Sequence, residues 1–296
     1  MPDSDLWLSD FCWLPDGRII YTRWESSHSA DDNLWQIDIN GQSGMPAGKP
    51  KRITQWVAAS FGNLYASADG KRLTLLKDTF ERQVYLGELA ARGARMNPPR
   101  RLTHDEALHV PTAWTPDSKA VLFHSDPNGR WGIFKQGISQ ETAEAVVTGP
   151  QNVAQPCISA DGAWILYLEF PETVRPATPV RLMRTPVNGG VPQPVLETRI
   201  APEPNFGCAR APASLCVIRE TSQDEKQFTI TAFDPLKGRG NVLRTIQKDP
   251  GADFAGGLSP DGTTYAISKG GEAEIHIRLL SLSGGSDREF TVKGWL

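Results

Sequence analysis

A short phrase, Trp-Leu-Pro-Asp-Gly at 13–17, recurs in varied form along the 296-residue chain at nearly regular intervals. Its aspartates follow one another at steps of 53, 48, 44 and 100 residues, and the last step holds two repeats with a degraded copy at 210–214. A period of about 40–50 residues is typical of one blade of a β-propeller, so this feature constrains the fold most. The intact copies stand at 13–17, 65–70, 114–118, 158–162 and 258–262.

Each residue type in the phrase has a physical role in a tight turn. Proline restricts φ, aspartate can accept a hydrogen bond from the backbone two residues on, and glycine adopts the positive φ that other residues avoid. We therefore interpret these residues as structural and not as paired catalytic carboxylates. We also expect the aromatic or aliphatic residue three or four positions before each aspartate to pack between neighbouring blades. The predicted turn residues are Asp16, Gly17, Asp69, Gly70, Asp117, Asp161, Gly162, Asp261 and Gly262.

Runs of β-branched and aromatic residues alternate with turn formers along the whole chain, which has 27 glycines and 23 prolines. The third repeat is the clearest, with strands predicted at 110–114, 120–124, 131–135 and 145–148. We predict an all-β fold, a β-propeller of four-stranded antiparallel blades that forms a single domain over 1–296. Six blades fit the repeats, at approximately 5–56, 57–106, 107–150, 151–199, 200–249 and 250–296.

A ring of six blades closes if the segment 6–8 pairs beside 289–292, which would remove the open sheet edges that invite aggregation. The alternative is a ring of seven or eight blades, some of which are missing from this sequence. The last residues resemble the start of another strand, so we expect a piece of a longer protein.

Charge and hydropathy exclude some classes of partner. The formal net charge is -3 and no basic stripe stands out, so we expect no nucleic-acid partner. The longest apolar run, 163–168, is far shorter than the ~20 residues of a spanning helix, so we expect no membrane contact by this segment. The first residues lack the pattern of a signal peptide, which places the chain in the cytoplasm if it is complete as given.

The third repeat resembles the repeat of TolB-type propellers. In that repeat a Trp-Ser-Pro-Asp-Gly turn precedes a Ser-Asp-Arg-x-Gly loop and an aromatic third strand, as 114–118 and 125–134 do here. The triplets at 52–54 and 101–103 resemble its closing Arg-Leu-Thr. The chain departs from the pattern at Pro127, where the family usually has arginine, and in the fifth repeat, which lacks Asp-Gly.

A narrower resemblance is to the C-terminal propellers of large bacterial membrane proteins. Those proteins carry a Ser/Thr kinase or a winged-helix domain on the cytoplasmic side of one membrane span. The resemblance implies an extracytoplasmic sensor or interaction domain on the periplasmic side. No kinase phrase occurs in the chain, so any such domain would lie outside it. The segments that carry this likeness are 33–35, 163–168, 208–211 and 234–240.

No motif for catalysis stands out. The chain has no Gly-x-Ser-x-Gly elbow of a propeller peptidase. His104 and His109 are five residues apart and lack the spacing of a zinc-protease pair, while His124 and His276 lie in predicted strands. We therefore expect this segment to have no catalytic residue and no metal site.

One loop of the sequence raises the question of a calcium site. The loop 29–33 offers several oxygen-bearing side chains, and calcium favours such ligands. Because no further ligands can be named, we favour an exposed turn at the start of a strand.

The four cysteines fall into two groups. Cys208 and Cys216 flank the degraded turn, and a three-residue turn would place them opposite each other on antiparallel strands. A disulfide and two free thiols are then the alternatives, and a disulfide would indicate an oxidising compartment. Cys12 and Cys157 lie in the inner strands of different blades and are expected to be buried free thiols.

Propellers bind ligands at one face, around the central channel. The polar residues near the start of each inner strand are therefore our candidate ligand-binding residues. The alternative is that they only solvate the channel. They are Asp10, Ser60, His109, Gln155, Asn205 and Asp253.

Two hypotheses of function follow. The first is a non-catalytic sensor or interaction propeller that binds a protein, a peptide or a small polar ligand, as the extracytoplasmic domain of a larger bacterial signalling protein. The alternative is an accessory or hydrolase-type propeller that acts on peptide or carbohydrate at the mouth of the channel. The absence of a nucleophile motif favours the first.

Overall fold

The computed structural model describes residues 10–24, 32–56, 59–79, 81–93, 95–171, 179–199, 205–222, 224, 226–248, 254–270 and 274–293. The chain forms two compact units. The first contains Met1–Val84, His104–His109 and Asp126–Gly129, and the second contains the remaining residues. In these ranges no helix is long and apolar enough to cross a membrane.

The first unit contains one four-stranded and one two-stranded antiparallel sheet. In the larger sheet each strand pairs with the next one along the chain. Its strands are β1 (Phe11–Trp13), β2 (Arg18–Trp24), β3 (Asp32–Ile39) and β4 (Pro46–Arg52), and the smaller sheet consists of β5 (Ala59–Ala66) and β6 (Leu73–Thr79).

The second unit begins with a long hairpin. Its outer pair is β7 (Tyr85–Leu86) with β10 (Arg100–Arg101), and its inner pair is β8 (Leu89–Ala90) with β9 (Arg95–Met96). A 3₁₀ turn, Ala91–Gly93, follows β8.

Four sheets of four strands follow, again with each strand beside the next in sequence. His109, the first residue of β11, belongs to the first unit. The strands are β11 (His109–Trp114), β12 (Ala120–Ser125), β13 (Gly132–Gly137), β14 (Glu144–Val147), β15 (Asn152–Ile158), β16 (Trp164–Phe170), β17 (Pro179–Pro186), β18 (Gln193–Arg199), β19 (Asn205–Cys208), β20 (Cys216–Thr221), β21 (Gln227–Asp234), β22 (Gly238–Gln247), β23 (Phe254–Leu258), β24 (Thr264–Gly270), β25 (Glu274–Ser281) and β26 (Arg288–Lys293).

The predicted fold class, an all-β propeller of four-stranded antiparallel blades, is confirmed. Five four-stranded meanders follow one another along the described chain, which contains no α-helix. The second repeat is described as three two-stranded sheets, β5–β6, β7–β10 and β8–β9. The number of blades and their bounds stay a prediction, and the segment 6–8 proposed to close the ring lies outside the described residues.

The apolar core consists of clusters that lie between consecutive sheets. In the first unit the cluster combines Leu14, Ile20 and Leu34 of the first sheet with Phe61 and Leu64 of β5. In the second unit one cluster joins the sheets β11–β14 and β15–β18, and another joins the sheets β19–β22 and β23–β26. Within each of these three pairs, one sheet is stabilised by the face of the next, which is how propeller blades pack.

The Asp-Gly turns have the bonding that their composition predicts. In all five turns the aspartate Oδ1 accepts a hydrogen bond from the backbone N–H two residues on, at 3.0–3.1 Å. In four of them a serine or threonine two residues earlier also donates its hydroxyl to that oxygen, at 2.5–2.6 Å. These hydroxyl bonds lower the pKa of Asp69, Asp117 and Asp261.

The expectation that the residue before the turn packs between blades is wrong for three repeats. Trp13, Tyr65 and Trp114 are 59%, 69% and 48% exposed, whereas Ile158 and Leu258 do pack against core clusters. The physical reason is strand alternation. In the first two repeats the residues adjacent to Trp13 and Tyr65 enter the core, so the aromatic side chains point the other way.

Two first strands, β5 and β15, each contain a β-bulge at the same place in the repeat. The register shifts after Gly62 in β5 and after Ala154 in β15. The bulged residues Asn63 and Gln155 have φ values of 53° and 57° and each precedes its turn aspartate by six residues. An extra residue at this point changes which later side chains face the core.

The third turn allows a test of the role of glycine. Ser118 occupies the position that glycine holds in the other intact turns, and its φ is +58°. We expect Ser118→Gly to stabilise the protein by about 0.5–1 kcal/mol, because it removes a strained left-handed side chain. Thermal unfolding measures the change. Gly162→Ser is the matched control and should destabilise, since φ there is +74° and a Cβ would lie 3.2 Å from Pro116. A lower melting temperature for Ser118→Gly would contradict the conclusion that the side chain of Ser118 strains this turn.

Candidate interaction site

The candidate ligand-binding residues fall in both units. Asp10, Ser60 and His109 belong to the first unit, and Gln155 belongs to the second. Asn205 is the first residue of β19, and Asp253 lies outside the described residues. Their arrangement around one channel therefore stays a prediction.

Asp10 connects the start of β1 to the bulge of β5. Its Oδ2 accepts a hydrogen bond from the Leu64 N–H at 2.8 Å, and its Oδ1 accepts one from the Phe11 N–H at 2.8 Å. Its own backbone N–H donates to the Thr22 hydroxyl at 3.0 Å. Both carboxylate oxygens thus hold the backbone, which gives Asp10 a structural role.

Ser60 and His109 have different surroundings. Ser60 is half-buried in β5 and pairs in register with Asp78 of β6. The His109 side chain is only 3% exposed, and its Nε2 lies 2.6 Å from Asp105 Oδ1. Gln83 donates to the Asp105 carbonyl at 2.9 Å, so the loop that carries Asp105 is itself held in place.

Gln155 lies at a packed junction between β12, β13 and β15. Its N–H donates to His124 Nδ1 at 3.4 Å, which places the ring proton of a neutral His124 on Nε2. The ring centroids of His124 and Trp131 are 5.0 Å apart, and the Trp131 N–H donates to Asn152 Oδ1 at 3.0 Å. His124 therefore has the structural role that its position in a strand predicts.

An exposed aromatic surface lies on the first strands of the first unit. Phe11 and Trp13 are two residues apart on β1 and so share a face, and both are 59% exposed. Tyr65 on β5 is 69% exposed. The Asp10–Leu64 hydrogen bond makes β1 and β5 neighbours. We call Phe11, Trp13 and Tyr65 the first-strand aromatic face.

The bulge in β5 explains why Tyr65 faces outward. Phe61 and Leu64 are both 3% exposed although they are three residues apart, which regular alternation does not allow. Asn63 absorbs the extra residue, and Tyr65 then points away from the core. The sequence offered one usable signal, the alternation of Phe11, Cys12 and Trp13 before the buried Leu14, and our sequence interpretation missed it.

The oxygen atoms of the calcium candidate loop that are described have protein partners. Asp32 Oδ2 accepts a hydrogen bond from the Phe61 N–H at 3.4 Å. Asn33 Oδ1 accepts hydrogen bonds from the Thr54 hydroxyl and the Trp56 N–H, both at 2.9 Å. Residues 29–31 lie outside the described ranges, within which no group of three or more His, Cys, Asp or Glu could hold a metal ion.

An open groove of about 470 Å³ lies in the second unit, beside the turn of the third repeat. Asp117, Lys119, Val187 and Asn188 are among the residues that line it. The ion pair between Lys135 and Glu144, at 3.2 Å, also borders it. The groove has the size of a small-molecule site and carries charges of both signs.

Cys208 and Cys216 are opposite each other on β19 and β20, and the structure joins them in a disulfide with an S–S distance of 1.93 Å. Cys12 and Cys157 are free and half-buried. Burial raises the pKa of the Cys157 thiol, and a hydrogen bond with the Cys208 backbone opposes that effect in part.

Removal of the disulfide should lower stability without changing the fold. We expect the double variant Cys208→Ser, Cys216→Ser to lose about 2–3 kcal/mol, because the bond closes a short loop in the unfolded chain. Alkylation of unreduced, denatured wild type should label only Cys12 and Cys157. Dithiothreitol should lower the melting temperature of the wild type and leave the double variant unchanged. Four labelled thiols in unreduced protein would show that the bond is absent in solution.

Glu220 connects two sheets of the second unit through its carboxylate. Thr198 donates its hydroxyl to Glu220 Oε1 at 2.6 Å, and Arg239 donates to both carboxylate oxygens. Arg239 also donates to the Glu197 carbonyl at 2.8 Å. Burial acts to raise the pKa of Glu220, but these hydrogen bonds and the charge of Arg239 outweigh it, so the pKa is lowered.

The lowered pKa of Glu220 predicts a pH-dependent contribution to stability. That contribution is fully present above the unfolded pKa of about 4.3 and is lost as pH falls through the lower folded pKa. We expect Glu220→Gln to lose about 1 kcal/mol at pH 7, a value reduced by the exposure of Arg239, and nothing once Glu220 is protonated. Denaturant unfolding at several pH values measures this. Glu289→Gln, at a 3.8 Å exposed pair with Arg278, should be neutral throughout. Equal losses at low and neutral pH would contradict the account.

Comparison with known proteins gives similarity only at the level of solved structures. No protein-family model and no curated protein matches the chain. The chain is similar to TolB from Acinetobacter baumannii, with 20% identity and a TM-score of 0.35 over 79% of this chain and 55% of that one. It is also similar to a prolyl endopeptidase, with 15% identity, a TM-score of 0.37 and coverage of 97% and 50%. The chain is similar to puromycin hydrolase as well, with 15% identity and a TM-score of 0.45 over 94% of this chain and 46% of that one.

The chain spans about half the length of these three proteins. They include TolB, a prolyl endopeptidase and a hydrolase, and at such TM-scores the likeness carries no argument about what the chain does. The fold class therefore rests on the sheets themselves.

Proposed function

We propose that the chain is a non-catalytic interaction module that binds a protein or peptide segment through the first-strand aromatic face. The observation that carries this proposal is the exposure of Phe11, Trp13 and Tyr65, at 59%, 59% and 69%, on neighbouring strands of the first unit. Grouped exposed apolar side chains mark interaction sites, and aromatic residues are the commonest anchors of protein interfaces.

The proposal extends to the context in which the module works. A Cys208–Cys216 disulfide supports an oxidising compartment, since such bonds are rare in the cytosol. We therefore propose an extracytoplasmic sensor or interaction domain, part of a larger bacterial signalling protein, as the narrower family resemblance implies.

Two alternative functions from the sequence analysis stay predictions. A small polar ligand would find room in the groove beside the third-repeat turn, where Lys119 and Asp117 offer charges of both signs. A propeller that acts on peptide or carbohydrate would require a catalytic group that we have not assigned.

The experiment uses an array of random peptides about twelve residues long, probed with labelled wild-type protein. We expect a subset of peptides with aromatic or aliphatic residues to bind. The triple variant Phe11→Ala, Trp13→Ala, Tyr65→Ala should bind them at least about tenfold more weakly, because each anchor contributes apolar burial. Its melting temperature should stay close to that of the wild type, since the three side chains are exposed.

Met45→Ala is the matched control, because Met45 is 64% exposed in the same unit and lies outside the aromatic face. This variant should bind as the wild type does. Equal binding by the triple variant would refute the role of the aromatic face. A thermal shift with calcium or cell-wall sugars, together with no peptide binding, would favour a small-ligand module instead.

A further inference from the structure

The long hairpin of the second unit, residues 85–101, carries a charge opposite to that of the rest of the chain. Four arginines and one glutamate give it a net charge of +3, whereas the whole chain has -3. It contains no lysine and no aspartate. We call this segment the arginine hairpin; its arginines are Arg92, Arg95, Arg100 and Arg101.

The arginines at the base of the hairpin differ from those near its tip in whether they have a described hydrogen-bond partner. Arg100 donates to the Ile138 carbonyl of the third repeat, and Arg101 Nε donates to the Thr103 carbonyl at 2.6 Å. Arg92 and Arg95, near the tip, are exposed and have no acidic or hydrogen-bonding partner among the described residues. Two guanidinium groups are therefore available to an external anion.

Apolar side chains of the arginine hairpin are also exposed. Tyr85, Leu89 and Met96 are 55%, 74% and 54% exposed. Leu89 and Met96 are directly paired across β8 and β9 and so lie on one face. Aromatic residues, methionine and arginine are the types enriched at protein interfaces, where lysine is depleted.

The inner pair of strands leaves backbone groups available. Within the described residues β8 and β9 pair only with each other, so each has an outer edge. An extended segment of another protein can add to such an edge, and main-chain hydrogen bonds then supply affinity. An exposed pair of short strands with flanking cations suits an extended segment that carries carboxylates.

We propose that the arginine hairpin is a docking site for an acidic segment of a partner protein, which adds as an extended strand to the β8–β9 pair. Its carboxylates pair with Arg92 and Arg95, and its apolar side chains contact Leu89 and Met96. This site is separate from the first-strand aromatic face and does not depend on it.

Charge count favours a protein over the other polyanions. Nucleic-acid binding proteins typically neutralise about 6–10 phosphates, and anionic lipid surfaces are recognised by clusters of about 4–8 basic residues. Among the described arginines of the hairpin, Arg92 and Arg95 are the two without partners in the described part of the chain, and two cations are too few for either class. Two cations beside an open strand edge are sufficient for a peptide whose backbone contributes the rest of the binding.

The test uses a labelled peptide of about twelve residues that alternates glutamate with valine or threonine, and a matched peptide with glutamine in place of glutamate. Fluorescence anisotropy with the full chain should show at least about tenfold tighter binding of the glutamate peptide, weakening as salt rises. The variant Arg92→Glu, Arg95→Glu should lose this preference, because it replaces attraction by repulsion.

Lys49→Glu, Arg210→Glu is the control with the same change in net charge, since both residues are exposed and lie outside the hairpin. It should bind as the wild type does, as should Trp13→Ala. Circular dichroism shows whether each variant is folded. Equal binding of the two peptides, or unchanged binding by the hairpin variant, would overturn the proposal. So would tighter binding to vesicles of phosphatidylglycerol and phosphatidylcholine in equal parts, or to a short DNA duplex, than to the glutamate peptide.

Discussion

The burial of consecutive sheets against one another is the interaction on which the rest of the structure depends. Two of the second strands are apolar on both faces: Leu122 and Phe123 alternate in β12 and are both fully buried, as are Leu166 and Tyr167 in β16. Such a strand cannot face water on either side, and each buried side chain contributes about 1.5–3 kcal/mol. The intact turns serve this arrangement, because they return the chain within a few residues and keep the two strands that they join in register.

The first strands of the sheets differ from these second strands, since only part of their surface is buried. In two of them a bulged amide residue, Asn63 or Gln155, changes which later side chains enter the core. The preceding repeat holds each bulge: Asp10 accepts a hydrogen bond from the Leu64 N–H, and Thr112 donates to the Pro156 carbonyl at 2.6 Å. These hydrogen bonds connect the first repeat with the second and the third with the fourth, as Thr198 and Arg239 connect the fourth with the fifth. The bulge at Asn63 in β5 also turns Tyr65 toward solvent.

Local chemistry made most of the fold predictable, and non-local packing made the remainder unpredictable. The turn phrase and the β-branched runs placed the four strands of the third repeat, β11 to β14, within two residues of their observed bounds. The fourth strand of the first repeat was harder to predict, because β4 (Pro46–Arg52) is an exposed strand without an apolar pattern that pairs with β3. Whether an aromatic residue such as Trp13 packs inward or points outward depends on a neighbouring strand and on a bulge, and a single repeat does not encode either. For the same reason, the position of Asp10 at the start of a strand gave no sign that both its carboxylate oxygens bind backbone N–H groups.

The first-strand aromatic face and the arginine hairpin would bind a partner through different interactions. A fully buried aromatic side chain covers about 150–250 Å², so the partly exposed Phe11, Trp13 and Tyr65 together offer a few hundred Å². A stable protein–protein interface buries about 1,200–2,000 Å², so the aromatic face suits a peptide anchored at a few points better than a rigid surface. Apolar burial is insensitive to salt, whereas the attraction of Arg92 and Arg95 for carboxylates is screened over about 10 Å at 0.1 M ionic strength. One chain with both surfaces could therefore engage two segments whose binding responds differently to ionic strength.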